Sequence, residues 1–396
     1  MNDHWGQVIQ SAIAFRRQLH QRPELTWQET QTAVTIRHAL DQLGIPWRAC
    51  AGTGTVAKLA PDAPGRHIAL RGDMDAIAVQ EATGLPWASQ VPGTMHACGH
   101  DGHMAALMAA TTWLKHHESV LPGPVTLLFQ PAEEGGHGAR EMIADGALDG
   151  VEAIYGWHNW PMIPFGQAVC PDGVVMCGNG TFQVTVHGVG GHASQPEVCR
   201  DPVLAAAAIT LALQQVVSRR LQPQHAAVVS VTSIDAPSMA TVIPSQANLG
   251  GSIRVQNMDD RDRIFDLIRS IATYTAESYG VTADVAVQNR YGPTVNHPAE
   301  AERVRQGLAT ELGDSWCADT LPIPIMASED FSYYLEQIPG AFALIGADDG
   351  RGHDASCHSP HYDFNDRLIP VVARLFARLA GAPVPEVQGD TQAPAR

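Results

Sequence analysis

Four short apolar runs, each leading into a loop of acidic, histidine or cysteine side chains, constrain this chain more than any other feature. Residues 67–71 run into Gly72-Asp73-Met74-Asp75, residues 125–129 into Gln130-Pro131-Ala132-Glu133-Glu134, and residues 153–157 into His158. Residues 341–345 run into a loop rich in Gly and Asp that ends at His358. Helical periodicity, as over residues 104–117, separates several of these runs, so the expected fold class is α/β, a sheet with helices on both faces. Open α/β sheets bind ligands at the carboxyl edge of their strands. The four loops therefore mark the expected site.

Between residues 180 and 292 the pattern changes. Strand signals at 182–186, 227–232, 247–255 and 282–287, with helix signals at 202–217 and 260–278, give the order βαββαβ of a ferredoxin-like unit. We expect this segment to be a second domain inserted into a first one made of residues 1–179 and 293–396. The tail 382–396, rich in Pro, Gly, Gln and Ala, is expected to be disordered. A chain of 396 residues with 45% hydrophobic content can bury a core in each domain. The net charge of −16 and the lack of clustered Lys and Arg argue against a nucleic-acid partner and an anionic membrane surface. The chain begins without a basic segment followed by an apolar stretch, so no signal peptide is expected. Its longest apolar run, 203–213, is too short to span a bilayer. Seven scattered cysteines, odd in number, suit a reducing cytoplasm.

The densest cluster is His96-Ala97-Cys98-Gly99-His100-Asp101-Gly102-His103. In an extended segment Cys98 and His100 would point to one side, and both suit a borderline-soft divalent ion. Taken alone, the cluster also fits a Gly-rich loop with capping histidines, and adjacent glutamates are commonly solvated charge. His158 and His358, each alone, would pass as hydrogen-bonded structural residues. Convergence at four strand ends changes that balance. Five ligand-type side chains exceed the four of a closed single zinc site and favour two ions sharing a bridge. Hydrolysis at a metal needs one carboxylate as ligand and a second, unligated one to take a proton from water. Glu133 and Glu134 can divide those roles. Asp73 and Asp75 fit a turn around Gly72, or an orienting role in which a carboxylate accepts a ligand histidine's other N–H; Asp75 is the preferred residue for it.

These motifs resemble the metal-dependent amidohydrolases that include hippurate hydrolases, auxin-conjugate hydrolases and bacterial aminoacylases, relatives of zinc carboxypeptidases. The resemblance runs from Leu19-His20-Gln21-Arg22-Pro23-Glu24-Leu25 to Asp366. It rests on Arg71-Gly72-Asp73-Met74-Asp75-Ala76, residues 95–103, Phe129-Gln130-Pro131-Ala132-Glu133-Glu134-Gly135-Gly136, Gly190-Gly191-His192-Ala193-Ser194 and Ser328-Glu329-Asp330-Phe331. It implies a mixed-sheet, di-metal exopeptidase-like catalytic domain whose insert serves as a lid and dimerisation domain. It further implies that Cys98 bridges two divalent ions per subunit, that His100, Glu134, His158 and His358 complete their shell, and that Glu133 is the general base. Zinc or manganese leads the expected metals, with nickel or cobalt next. His192 resembles the lid histidine that reaches a partner's site to hold an oxyanion, and Arg254 the residue that binds a substrate carboxylate. The expected substrate is a small N-acyl-amino acid, or a dipeptide, and the expected assembly a homodimer or higher oligomer through the lid. Thr241, His137, Glu197 and Cys357 depart from the family's usual residues, which bears on substrate choice rather than reaction type.

Three other readings compete. A dipeptidase or carboxypeptidase could use the same fold. Cys98 could act as a nucleophile with His100 or His103 as its base, although two residues apart on one loop is poor geometry. A non-catalytic metal- or peptide-binding homologue would keep the fold, but would not need an unligated Glu133.

Overall fold

The structure, a computed structural model, describes residues 2–318 and 320–385. Two compact units emerge from the chain's contacts: one holds the chain up to Val175, Val295–Pro322 and the chain from Tyr333 onward, and the other Met176–Thr294 with Ile323–Ser332. The second unit thus starts and ends a few residues outside the expected 180–292 and takes in a short later segment.

In the first unit a seven-stranded mixed sheet runs in the order Trp47–Cys50, Gly54–Leu59, Val125–Gln130, Ile68–Asp73, Ala153–Pro164, Gly340–Asp348 and Ala168–Val169. Its four central strands are parallel to one another, and the outer ones pair antiparallel. Every residue of Ile68–Asp73 and Val125–Gln130 is buried, as in strands covered on both faces, with the polar Arg71, Asp73 and Gln130 gathered at the carboxyl ends. The helix His100–His116 is buried along most of its length, with Trp113 and Leu114 in the core.

Two expectations change here. His158 does not end its strand, which continues to Pro164, because pairing with Gly340–Asp348 persists from Leu344 opposite His158 to Asp348 opposite Pro164. The expected disorder of the tail fails over residues 382–385: Ala382 is buried, and the Trp113 indole N–H donates to the Pro383 carbonyl at 2.8 Å. The rest of that expectation, over 386–396, lies outside the described residues.

The second unit has strands Gly178–His187, Ala227–Asp235, Gln246–Val255 and Thr282–Asn289 and helices Pro202–Leu213 and Met258–Ser278. In space the strands lie fourth, first, third, second, all antiparallel, the ferredoxin-like order. Gln246–Val255 alternates buried and less buried residues, so one face packs on the helices. Asp201 and Asn257 cap the two helices, accepting from the Val203 and Asp260 N–H groups at 2.8 Å each. The helix expected over 202–217 breaks at Gln214, and Gln215–Arg220 follows as a separate turn. Among the described residues no helix is long and apolar enough to cross a membrane.

Candidate metal centre

The first unit brings together eight of the ten expected site residues: Asp73, Asp75, Cys98, His100, Glu133, Glu134, His158 and His358. Cys98 and His100 are not on an extended segment as expected. Gly99 adopts a φ of +95° and the helix begins at His100. A Cβ on Gly99 would stand 2.3 Å from Asn159 Oδ1 and 2.5 Å from the Tyr362 hydroxyl, so only glycine lets the loop turn this tightly against them.

Two histidines are oriented through one nitrogen, which leaves the other for a ligand. His100 Nδ1–H donates to the Asp75 carbonyl at 2.8 Å, and its Nε2 is buried without a hydrogen-bond partner among the described residues. His158 Nδ1–H donates to the Asn159 carbonyl at 2.7 Å, and its Nε2 lies 3.3 Å from Cys98 Sγ. Backbone carbonyls therefore set the tautomers, a common arrangement behind metal-ligating histidines. His358 Nε2 lies 3.1 Å from Glu134 Oε1. Ligand atoms of Cys98, His100 and His158 fall within 4.8 Å of one another, as do those of Cys98, Glu134 and His358, and those of His100, Glu133 and Glu134. Cys98 is common to the first two trios.

Asp73, His100 and His103 form another such trio. Asp73 is already engaged, by the Arg71 guanidinium and by His103 at 2.6 Å, and His103 is tied on its other nitrogen to Asn159 at 2.7 Å. A carboxylate held by a buried cation and a histidine is less available to a metal than the orphaned His100 nitrogen.

Asp75 has close contacts beyond the expected one with His100. Its carboxylate is 3.5 Å from His100 Nδ1, but its close donors are the Glu133 N–H at 2.9 Å, the Glu134 N–H at 3.0 Å and the Thr26 hydroxyl at 2.8 Å. It clamps the backbone that carries both glutamates. Sequence reasoning missed a second clamp, Glu29. This fully buried carboxylate accepts the Ala132 N–H at 2.9 Å, the Trp27 N–H at 3.0 Å and the Thr53 hydroxyl at 2.8 Å. Ala132 has a φ of +56°, a left-handed conformation costly for a residue with a Cβ. Burial and the Asp75 charge raise the Glu29 pKa. Glu29 sits in the polar run 28–32, where nothing local marks a carboxylate that is to be buried. Glu29→Ala, which leaves the Ala132 N–H buried and unpaired, is expected to lose about 1–3 kcal/mol in urea unfolding and to lower kcat more than KM with metal content unchanged. An unaltered kcat would show that the loop holds without it.

The electrostatics fit divalent cations. Burial alone would lower the His100 pKa, but Asp73, the Asp75 hydrogen bond and Glu134 override it and hold the imidazole up at about 10. That proton stands where carboxylates have gathered more negative charge than local cations balance. The His358 pKa is likewise raised by its hydrogen bond to Glu134. The donor set itself, one thiol, three imidazoles and a carboxylate with an orphaned buried nitrogen among them, matches zinc-type ligation.

His192 and Arg254 belong to the second unit. His192 lies on the short strand Gly191–His192 and is exposed, its Nδ1 3.2 Å from the Ser194 N–H and 2.7 Å from the Ser194 hydroxyl. Arg254 is half-buried on Gln246–Val255, where burial and the charge of Arg290 lower its pKa.

Fold and site together define a metal-dependent hydrolase of the exopeptidase type, and comparison with known proteins agrees. Residues 69–382 match the model of Peptidase family M20/M25/M40, and the chain belongs to that family. It is 37% identical over 379 residues to the IAA-amino acid hydrolase ILR1-like 2 of Arabidopsis thaliana, covering 94% of this chain and 85% of that one. It is 38% identical over 358 residues to the N-acetyl-L-cysteine deacetylase of Bacillus subtilis, covering 90% and 84%. The crystal structure of the Bacillus subtilis YXEP protein, described as a dinuclear metal binding peptidase from the M20 family, superposes with a TM-score of 0.81 at 31% identity, covering 95% of this chain and 98% of that one.

Proposed function

We propose that this chain hydrolyses the amide bond of N-acyl-amino acids, releasing a carboxylic acid and a free amino acid, with two divalent ions held by Cys98, His100, Glu134, His158 and His358. The observation that carries the reading is the Cys98 thiol, shared by two separate ligand trios and so suited to bridge a pair. Bound there, two divalent ions would supply Lewis acidity to the scissile carbonyl and lower the pKa of a shared water. Glu133 takes the proton from the attacking water and returns it to the leaving amine. Asp75 and Glu29 hold the backbone that carries this carboxylate. His192 donates to the developing oxyanion and Arg254 pairs with the substrate's carboxylate, both in the second unit acting as a lid through which the chain forms a homodimer.

The named relatives support this substrate class, one acting on IAA–amino acid conjugates and one on N-acetyl-L-cysteine. Zinc or manganese, then nickel or cobalt, are the ions proposed, and a reducing cytoplasm the compartment; all seven cysteines are free.

A thiol-hydrolase reading gains one observation, the 3.3 Å approach of Cys98 Sγ to His158, in place of His100 or His103. The pair is nonetheless poorly set for an ion pair. The Cys357 hydrogen bond, burial and Glu134 push the Cys98 thiol well up, while burial and the His103 charge push His158 well down. The deciding experiment is a release assay over N-acetyl- and N-benzoyl-amino acids and dipeptides, on metal-depleted protein restored with zinc, manganese, cobalt or nickel. Turnover of the acyl-amino acids only after restoration is expected. Turnover in chelator would favour the thiol, and preference for dipeptides would make the chain a dipeptidase.

A further inference from the structure

We propose that Cys98 and Cys357 form an oxidation site, a thiol pair that a hydroperoxide converts to a disulfide across the metal centre. Cys357 was noted above only as a departure from the family's usual residue. The structure puts it against Cys98: the Cys357 thiol lies 4.0 Å from the Cys98 carbonyl and donates to it. The backbone holds them in register, since the His358 N–H donates to the Ala97 carbonyl at 2.7 Å. That hydrogen bond and the contact of Cys357 with the Cys98 carbonyl bring the two loops together, and a disulfide needs their Cα atoms within about 7 Å. Asn159 Nδ2–H, 3.8 Å from Cys357 Sγ, holds the thiol from its other side.

The chemistry runs in two steps. The partly exposed Cys357 sulfur attacks one oxygen of the hydroperoxide; the O–O bond breaks, water (or an alcohol) leaves, and Cys357 becomes a sulfenic acid. The buried Cys98 sulfur then attacks that sulfur, the S–O bond breaks, water leaves and the S–S bond forms. The two thiols give up two electrons and two hydrogens, and the hydroperoxide is the oxidant reduced. Once linked, Cys98 has no thiolate to give a metal; this consequence rests on the ligand role proposed above, whereas the linkage itself does not.

The test uses the full chain, metal-loaded and after chelation, exposed to hydrogen peroxide, quenched with an alkylating maleimide and mapped by mass spectrometry without reduction. Expected in the chelated protein is the loss of two alkylatable thiols, recovery of a Cys98–Cys357 linked peptide and reversal by dithiothreitol, with bound metal slowing linkage roughly tenfold or more. The linked protein should take up less zinc than the reduced protein, a readout independent of turnover. In Cys357→Ser and Cys357→Leu the linked peptide should vanish, while exposed Cys317 reacts as before. Cys98 recovered with a sulfinic or sulfonic group, joined to another cysteine, or freely alkylated after peroxide treatment of the chelated parent would overturn the proposal. A linked peptide in a chain without amide hydrolysis would sink the proposed function alone, and an active chain lacking it only this inference.

Discussion

Replacing Glu133 with Gln is expected to lower turnover by about 10²–10⁴-fold while bound metal and substrate affinity stay near those of the parent. The side chains have nearly the same shape, so the loop should not move. Its backbone is fixed from outside the side chain, by Asp75 on the Glu133 and Glu134 N–H groups and by Glu29 on Ala132. What the amide lacks is the ability to take a proton. Glu134→Gln is the contrasting variant, because Glu134 meets Cys98 and His358 in one trio, and it should shed metal. Steady-state kinetics with metal analysis on both variants separates the roles. Near-parental turnover in Glu133→Gln would remove it as the base, and loss of metal there would make it a ligand.

The second large effect is on stability. Arg16 is fully buried between Asp101 at 3.1 Å and Asp366 at 2.6 Å, and Asp101 also binds His20 Nδ1 at 2.9 Å. Arg16→Met takes the buried guanidinium from the buried Asp101, which keeps only His20, and from the part-buried Asp366, which keeps Arg17, and is expected to cost about 3 kcal/mol in urea unfolding. The neighbouring His20 makes the network depend on pH. Burial opposes its charge, but Asp101 and Glu81 overcome burial and raise its pKa from 6.5 to about 9. A raised pKa stabilises the fold in full below 6.5, and that stabilisation is lost as pH rises through about 9. Asp101 is shifted the other way: burial would raise it, but His20 and Arg16 hold it below the usual 3.8. Its share is present above 3.8 and lost as pH falls through its folded value. His20→Gln should therefore cost on the order of 3 kcal/mol near pH 6, progressively less as pH rises from 6.5 towards about 9, and little above that. A cost independent of pH would mean that His20 is not charged in the fold.

The parts of this molecule readable from sequence were those with a short-range physical signature. Residues 68–70 and 127–129 are apolar because both faces of their strands are covered, and ligand-type residues follow them closely. Residues 246–255 alternate because one face of their sheet is packed. Where the signal depends on partners far along the chain, the reading stopped short. His158 was placed at a strand end because nothing local shows that residues 340–348 go on pairing past it. The turn between Cys98 and His100 was hidden because its cause, Asn159 and Tyr362 pressing on Gly99, comes from distant segments. Arg16, His20 and Asp101 meet across 81 and 85 residues, and Glu29 reaches Ala132 across 103. The Asp75 carboxylate, expected to orient a histidine, does lie 3.5 Å from His100 Nδ1, but its hold on the glutamate N–H groups, 58 and 59 residues along the chain, had no local signal.

The central claim, catalysis by a metal pair bridged by Cys98, is tested most directly by turnover of an N-acyl-amino acid against equivalents of zinc or manganese added to metal-free protein. The account predicts no turnover without metal and a rise that reaches its plateau only near about two ions per chain, with Cys98→Ala failing to reach it. Turnover in the metal-free protein, or a plateau at a single ion, would contradict it.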